Sequence, residues 1–169
     1  MKIQLEEYTG QHKEQVVAWM ADFFGFHEGL VRGSYTLTQV RFRLAEETLE
    51  EWLHQPGKVY VIDRDGEATG FLRIAFRGPN VAWIEDIFVA PQWRNQGVAT
   101  RAIRAAEEII KETPGYTAIC MDVAPRNREA LRLYQKLGYD NLSIVTLRKE
   151  LDGSKYEKEL RIEETQLHY

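Results

Sequence analysis

Residues 94–100 (RNQGVAT) have the composition of an anion-binding loop. The preceding residues 81–89 (VAWIEDIFV) are rich in β-branched and aromatic side chains, which is typical of a strand, and Pro91 ends it. In residues 99–111 the apolar side chains recur at helical spacing. The loop's backbone N–H groups and the helix N-terminus would together form a site suited to a diphosphate.

The residue types within this loop fit the same interpretation. Gly97 lets a ligand approach the backbone closely, and the small Ala99 keeps the first helical turn accessible. Arg94 adds a fixed positive charge at the entrance. The loop has neither the ending of a P-loop nor the three glycines of a dinucleotide fold. The residues expected to contact the phosphates are Arg94, Asn95, Gln96, Gly97, Val98, Ala99 and Thr100.

Two adjacent carboxylates, Glu85 and Asp86, interrupt the apolar strand that leads to the loop. Charged groups in an apolar segment are costly unless something uses or neutralises them. One or both could serve as a general base, or one could lie at a sheet surface or bond a neighbouring loop. Strand alternation predicts that the two side chains point to opposite faces, so that at most one faces a cleft.

Two blocks of the sequence, residues 94–99 and residues 127–139, together resemble the GNAT superfamily of N-acetyltransferases. Residues 94–99 read R-x-x-G-x-A, similar to the family's acetyl-CoA loop, [QR]-x-x-G-x-[GA]. Residues 127–139 (NREALRLYQKLGY) resemble its second block, N-x-x-A-x-x-x-Y-x-x-x-G-[FY]. The blocks stand in the family's order with one strand between them. The resemblance implies acetyl-CoA as co-substrate and the α/β GNAT (acyl-CoA N-acyltransferase) fold, a mixed central sheet of about six to seven strands flanked by helices.

The resemblance also implies catalytic roles. Glu85 is the first candidate for the general base, because the corresponding glutamate of polyamine-type members acts as base, often through water. Asp86 is the second candidate. Tyr134 stands where family members carry the tyrosine that faces the coenzyme sulfur. A phenol of pKa about 10 can protonate a thiolate of pKa near 8.5, which makes it the candidate general acid. Alternatively, Tyr134 is a core residue on an amphipathic helix.

The remaining coenzyme contacts follow from the same comparison. In the family, a backbone N–H near the end of the fourth strand stabilises the thioester oxygen, and here that would be Phe88 or Val89. Ile87, Phe88 and Val89 would pair with the pantetheine arm as though it were a strand. Asn127 would contact the coenzyme arm, cap its helix, or do both.

The acceptor pocket of such proteins is walled by the first helices and the loop between them. Here that region is residues 22–35 (DFFGFHEGLVRGSY), whose aromatic and acidic groups suit an amine with an apolar or polycationic body. At least two of its phenylalanines are expected to be core. The candidate substrate contacts are Phe24, Phe26, His27 and Glu28.

The bulk properties narrow the function further. The net charge of −4 over 169 residues argues against nucleic acid as a partner. The absence of a long apolar run or signal peptide predicts a cytoplasmic protein without a membrane segment. The single cysteine, Cys120, fits a reducing compartment and has no histidine near it in sequence, and the four histidines show no metal spacing.

The pattern of elements completes the sequence-based prediction. We expect strands at 2–8, 58–63, 68–77, 81–89, 116–123 and 141–151, and helices at about 11–24 (capped by Thr9), 37–54, 99–111 and 127–138. Residues 25–33 read as a turn or a short helical piece. Residues 1–151 would form an N-acetyltransferase domain, and residues 152–169 a tail that could add a strand, dock on a partner subunit or stay flexible.

The predicted function is direct transfer of an acetyl group from acetyl-CoA to an amine in a ternary complex. The acceptor is expected to be a small molecule, such as a polyamine, aminoglycoside or amino-acid derivative. The alternatives are acetylation of a protein N-terminus or lysine, and a non-catalytic CoA-binding regulatory domain. A homodimer is possible, and no metal is expected.

Overall fold

The computed structural model describes residues 1–151, 153, 156–162 and 165–168. The chain divides into two compact units, Met1–Asp122 and Val123–Tyr169. Within the described part of the chain, no helix is both long and apolar enough to cross a membrane.

The first unit is built on a five-stranded mixed sheet in the order β1-β2-β3-β4-β5. The first four strands are antiparallel neighbours, whereas β4 and β5 run parallel. The strands are β1 (Ile3–Glu7), β2 (Gly57–Arg64), β3 (Glu67–Phe76), β4 (Val81–Val89) and β5 (Ala118–Cys120). This α/β arrangement confirms the predicted fold class, with fewer strands in the sheet than the six to seven expected.

Three helices belong to the first unit: α1 (Lys13–Arg32), α2 (Gln39–His54) and α3 (Val98–Lys111). The apolar faces of α1 and α2 pack with Phe71 of β3 and Phe88 of β4 in one buried cluster. Helix α3 contacts β1 and β4 and buries the apolar stripe that its spacing predicted. The sheet therefore supplies the rigid frame on which β4 and the loop before α3 are held.

Helix α1 differs from its prediction at both ends. It begins at Lys13 after His12, with no side-chain cap, so Thr9 does not cap it. It continues through residues 25–32, and Gly33, with a left-handed φ of 85°, ends it as the C-cap. The helix tolerates Gly25 because the Tyr35 ring lies against it, so closely that a Cβ there would be 2.2 Å from the ring. Tertiary packing of one tyrosine thus offsets the poor helix propensity of glycine.

The hairpin between β2 and β3 is confirmed. Asp65 and Gly66 both have positive φ, 53° and 93°, as a two-residue hairpin turn with Asp-Gly requires. The strand predicted over residues 116–123 is shorter in the structure, where β5 covers only Ala118–Cys120.

The second unit contains α4 (Arg128–Lys136) and a separate two-stranded sheet of β6 (Glu159–Ile162) and β7 (Thr165–His168). The predicted strand over residues 141–151 is wrong, because residues 141–150 have no regular secondary structure. Leu142, Ile144 and Leu147 are exposed there instead. Alternating apolar side chains favour a strand only where a ladder partner and a surface to cover are present.

Candidate functional site

The loop between β4 and α3 has the geometry that the sequence predicted. A 3-10 turn, Pro91–Trp93, follows β4, and Asn95 and Gly97 then adopt left-handed φ values of 59° and 75°. Gly97 is the N-cap of α3 and has no side chain that could bond the first-turn N–H groups. No acidic residue lies in that first turn. The N-terminus of α3 therefore retains its partial positive charge for an external anion.

Arg94 links this loop to β4 and to α1. Its Nε donates to the Val89 carbonyl oxygen at 2.9 Å. Its guanidinium lies 5.3 Å from the centre of the Phe88 ring and 5.9 Å from that of Phe26. The positive charge therefore lies where the carboxyl end of β4 meets the aromatic face of α1.

Strand β4 has an open edge beside the loop. Its pairing with β5 covers only Val81–Trp83, so among the described residues no strand lies along that edge of β4 from Ile84 onward, while the other edge stays paired with β3. On the side of β4 that faces β3, the Ala90 N–H donates to the Thr69 carbonyl oxygen at 2.9 Å. Alternation then directs the backbone groups of Val89 and Ile87 to the open edge and those of Phe88 to β3. Of these three residues, Val89 and Ile87 have an N–H available to an extended ligand.

The two carboxylates of β4 lie at a β-bulge. Arg73 of β3 is the cross-strand partner of Asp86, but Ile74 pairs with Ile84, so Glu85 is the extra residue on β4. The expectation that alternation sends the two side chains to opposite faces is wrong for this reason. Both carboxylates interact with Arg73 and Arg77.

Arg73 is the centre of this cluster. Its side chain is only 2% exposed and forms an ion pair with Glu85, whose side chain is 14% exposed. Gln55, the C-cap residue of α2, accepts a hydrogen bond at its Oε1 from Arg73 Nη2 at 2.8 Å, and the ring of Trp52 in α2 lies 4.8 Å from the guanidinium carbon. Arg77, which is half exposed, pairs with Glu85 from the solvent side and lies 5.1 Å from the Trp83 ring.

Asp86 differs from its neighbour in its electrostatics. Burial raises the pKa of its carboxyl from 3.8 to about 6, and nearby Asp122 acts in the same direction. Arg73 and Arg77 oppose this rise in pKa without cancelling it. The described first unit thus contains a carboxyl group that can exchange a proton near neutral pH.

Sequence reasoning missed Arg73 and Arg77, although a signal was present. Arg73 interrupts the apolar stretch GFLRIAF of β3, just as the carboxylates interrupt β4. A buried arginine needs a buried acidic partner. Pairing the two interruptions across the hairpin would have suggested the contact.

The predicted acceptor residues lie on α1, and the structure separates their roles. Phe23 and Phe24 pack against the core cluster, as expected for at least two of the phenylalanines. His27 packs edge-on against Phe23 with ring centres 4.3 Å apart, and burial lowers its pKa. His27 is therefore largely neutral at physiological pH.

Glu28 is already engaged by two arginines. It forms an ion pair with Arg41 of α2 and another with Arg32 at 3.3 Å. The hydrogen bond from Arg41 is the main cause that lowers the pKa of this carboxyl. Its negative charge is therefore balanced within the protein and is not freely available to a cationic ligand.

A cavity of about 420 Å³ opens at the C-terminal end of α1. The Tyr35 ring forms part of its wall and lies against Gly25 and Gly29, while its hydroxyl donates to Asp22. Phe26 contributes the aromatic surface that also contacts Arg94. The lining residues are Phe26, Gly29, Leu30, Gly33, Ser34 and Tyr35.

In the second unit, α4 carries the other two predicted site residues. Asn127 is the N-cap, and its side chain accepts a hydrogen bond from the Ala130 N–H at 3.2 Å, so the predicted cap is confirmed. Tyr134 is partly buried, and its ring meets the Tyr139 ring edge-on, with 6.3 Å between ring centres. The Tyr139 N–H donates to the Tyr134 carbonyl oxygen at 3.0 Å, which ends the helix.

Cys120 is a free, partly buried cysteine in β5. Within the described ranges, no group of three or more histidine, cysteine or acidic residues is arranged to hold a metal ion.

The described loop, open strand edge and mixed sheet agree with a comparison against known families. The model of the acetyltransferase (GNAT) family matches residues 14–139, which is well over half of the chain. The protein therefore belongs to the GNAT family of acetyltransferases.

Individual relatives give the same family. Over 93 residues the chain is 31% identical to the thialysine N-epsilon-acetyltransferase of Mus musculus, covering 49% of this chain and 54% of that protein. The chain thus spans about half the length of this curated relative.

Solved structures share the fold. A transcriptional regulator from Bacillus halodurans C-125 superposes with a TM-score of 0.69 at 22% identity, covering 89% of this chain and all of that one. AAC(6')-Iy, in complex with the bisubstrate analogue CoA-S-monomethyl-acetylneamine, gives a TM-score of 0.63 at 20% identity, covering 89% of this chain and 99% of that one.

Proposed function

We propose that this protein transfers an acetyl group from acetyl-CoA to the amine of a small molecule. The observation that carries the proposal is the course of one segment. Strand β4 leaves its edge open beyond Trp83, bears two carboxylates at a bulge, and leads directly into the uncapped N-terminus of α3. The strand edge that would bind an extended thioester, the carboxylate that would accept a proton and the diphosphate site therefore follow one another along this segment.

Each part of the coenzyme has a matching group. The N–H groups of the left-handed loop and of Val98, Ala99 and Thr100 would bind the diphosphate. The outward-facing backbone of Ile87 and Val89 would pair with the pantetheine arm. Asn127 is a further candidate contact from the second sequence block.

The reaction needs the amine to lose its proton before it attacks. An alkylamine has a pKa of about 10.4, so only about one molecule in ~10³ is neutral at pH 7. One of the two β4 carboxylates, Glu85 or Asp86, would take that proton. The amine nitrogen forms a bond to the thioester carbon, the C–S bond breaks, and the CoA sulfur leaves with the bonding pair and takes up a proton.

Two further groups would assist this step. The N–H of Val89, which faces the open edge, would stabilise the thioester oxygen as it becomes negative. Tyr134 would donate the proton to the departing thiolate, an assignment that is based on the second sequence block alone. Neither role requires a metal.

A small amine acceptor is favoured by the region around α1. The cavity beside Phe26 and Tyr35, of about 420 Å³, is lined by residues of α1 and of the following turn, and its size suits a small molecule. The relatives support the same class, since one is a thialysine N-epsilon-acetyltransferase and AAC(6')-Iy was solved with the bisubstrate analogue CoA-S-monomethyl-acetylneamine.

The first test is CoA release from acetyl-CoA across polyamines, aminoglycosides, amino acids and short peptides, with products identified by mass spectrometry. Acetylation of one class of small amine is the expected result. Acetylation restricted to peptides would replace the proposed acceptor with a protein. Tight acetyl-CoA binding without any transfer would favour a non-catalytic CoA-binding domain.

Tyr134→Phe tests the proposed acid. The variant keeps the ring but loses the proton, so we expect turnover to fall by about 10- to 100-fold while acetyl-CoA affinity stays within about twofold. Tyr139→Phe is the matched control, because the two rings contact each other. Unchanged turnover in Tyr134→Phe would remove this tyrosine from the mechanism.

A further inference from the structure

The two carboxylates of β4 are chemically distinct, and the bulge is the cause. Glu85, the extra residue, forms ion pairs with two arginines, one buried and one half exposed. A guanidinium stays charged at every accessible pH. A carboxylate held between two such groups is stabilised in its ionised form and is a weak proton acceptor.

Arg73 is held in place independently of either carboxylate. Trp52 of α2 and Gln55, which follows that helix, fix its guanidinium, which is almost completely buried, and its Nε has no hydrogen-bond partner among the described residues. The guanidinium therefore lies at a set position opposite the bulge. Glu85 provides its closest counter-charge.

Asp86 lies opposite Arg73 in the strand register, and among the described residues the two form no ion pair. The charged groups around it come from several elements: Arg73 on β3, Arg77 after β3, Glu85 beside it on β4, and Asp122 after β5. Glu51 of α2 also acts electrostatically on Arg73. Burial raises the pKa of Asp86 to about 6, and Arg73 and Arg77 lower it without cancelling that rise.

We propose that Asp86 is the carboxylate that accepts the amine proton, and that Arg73 is a positioning residue that keeps Glu85 ionised and engaged. This proposal rests on the proposed acetyl transfer. The proton moves from the amine nitrogen to an Asp86 oxygen as the nitrogen attacks the thioester carbon. The neutral acid returns the proton to solvent after the product leaves.

Two alanine variants distinguish the roles of the two carboxylates. In Asp86→Ala we expect turnover to fall by about 100- to 1000-fold, and added formate to restore part of it by entering the space of the missing carboxylate. In Glu85→Ala we expect a smaller loss that formate does not restore. Titration with acetyl-CoA shows that each variant is folded. Formate rescue of Glu85→Ala but not of Asp86→Ala would overturn the proposal.

The pH profile provides the readout for Arg73. In Glu85→Gln both arginines lose their counter-charge and act more strongly on Asp86, so the acidic limb of kcat/KM should move to lower pH. Arg73→Gln should move that limb to higher pH, and Arg73→Lys should restore it towards the wild-type position. A purely structural role would lower activity without moving the limb, which would contradict the assignment.

A measurement on the wild-type protein separates this proposal from the proposed function. The side-chain carboxyl carbons of aspartate and glutamate, labelled with carbon-13, can be titrated by NMR without any substrate, and Asp86→Asn identifies the resonance of Asp86. We expect that resonance to titrate near pH 6. Titration of Glu85 near neutral pH, with Asp86 ionised throughout, would refute the proposal even if acetyl transfer were confirmed. Failure of acetyl transfer with Asp86 titrating as expected would overturn the proposed function, and with it the catalytic role of Asp86, but not the electrostatic difference between the two carboxylates.

Discussion

The loop before α3 and the bulge of β4 are only about ten residues apart, yet they handle charge in opposite ways. The loop presents backbone N–H groups at an uncapped helix N-terminus, and Gly97 contributes no side chain. The bulge concentrates full charges in side chains, with Glu85 and Asp86 opposite a buried arginine. The first region depends on local conformation, and the second depends on partners from β3, α2 and the end of β5.

This difference has an energetic consequence. A helix N-terminus carries only about half an elementary charge and remains hydrated until a ligand arrives, so an empty loop costs little. A buried ion pair must be compensated permanently, because each desolvated charge costs several kcal/mol without its partner. Substitutions in the loop should therefore affect binding, whereas substitutions at the bulge should affect stability and proton transfer.

The largest expected effect is on stability at the bulge. Arg73→Met leaves Glu85 without its buried partner, and we expect the free energy of unfolding to fall by about 3–5 kcal/mol. Arg77→Met removes the half-exposed partner of the same carboxylate and should cost about 1 kcal/mol or less. Urea unfolding of both variants at pH 7 measures the difference. Equal losses would mean that burial does not distinguish the two arginines.

The next effect should appear only in binding. Gly97→Glu places a side chain and a negative charge at the proposed diphosphate site, so we expect acetyl-CoA affinity to fall at least 100-fold, or about 3 kcal/mol. Gly115→Glu is the matched control, since Gly115 also has a left-handed φ, 95°, with open space around it. Calorimetric titration of both variants tests the site. Normal binding in Gly97→Glu would show that the site is misplaced.

The third prediction concerns pH. The pKa of Asp86 in the folded protein, about 6, exceeds its ordinary value of 3.8, so folding favours the protonated form. The associated stability is complete below about pH 4 and is lost as the pH rises through about 6. Asp86→Asn avoids that loss and should be more stable than wild type by about 2–3 kcal/mol at pH 8, with little difference at pH 4.

The control for this prediction is Glu47→Gln, because Glu47 is an exposed carboxylate on α2. We expect it to change the free energy of unfolding by less than about 0.5 kcal/mol at either pH. Urea unfolding at pH 4 and pH 8 gives both numbers. A stabilisation of Asp86→Asn that is the same at both pH values would contradict the raised pKa.

The smallest effect should come from the edge of the loop. Arg64 of β2 donates to Gln96 Oε1 at 2.5 Å, and its guanidinium lies 4.5 Å from the Trp93 ring. Arg64→Gln should weaken acetyl-CoA binding about three- to fivefold, since an exposed cation–π contact contributes about 0.5–1 kcal/mol. Arg104→Gln is the control, because it removes one positive charge from an exposed position on α3. If both variants weaken binding equally, the effect is one of net charge.

How much was predictable depended on the range of the interactions involved. The hairpin at Asp65-Gly66, the loop through Gly97 and the Asn127 cap were predicted because each depends on the φ preferences or side-chain reach of a few neighbouring residues. The end of α1 was not, because Tyr35 packs on Gly25 from ten residues away. The strand expected at 141–151 also failed, since an alternating pattern cannot supply its own partner.

The sequence by itself determined the family and the conformation of the loop before α3, because short blocks around Gly97 and Asn127 encode local backbone geometry. It also identified Glu85 and Asp86 as the acidic pair, but alternation placed them on opposite faces. Only the tertiary structure showed that this placement on opposite faces is wrong. The bulge opposite Arg73 depends on the register between two strands, and the raised pKa of Asp86 depends on burial by several elements. Register and burial are properties of the assembled sheet and are not encoded in any single segment.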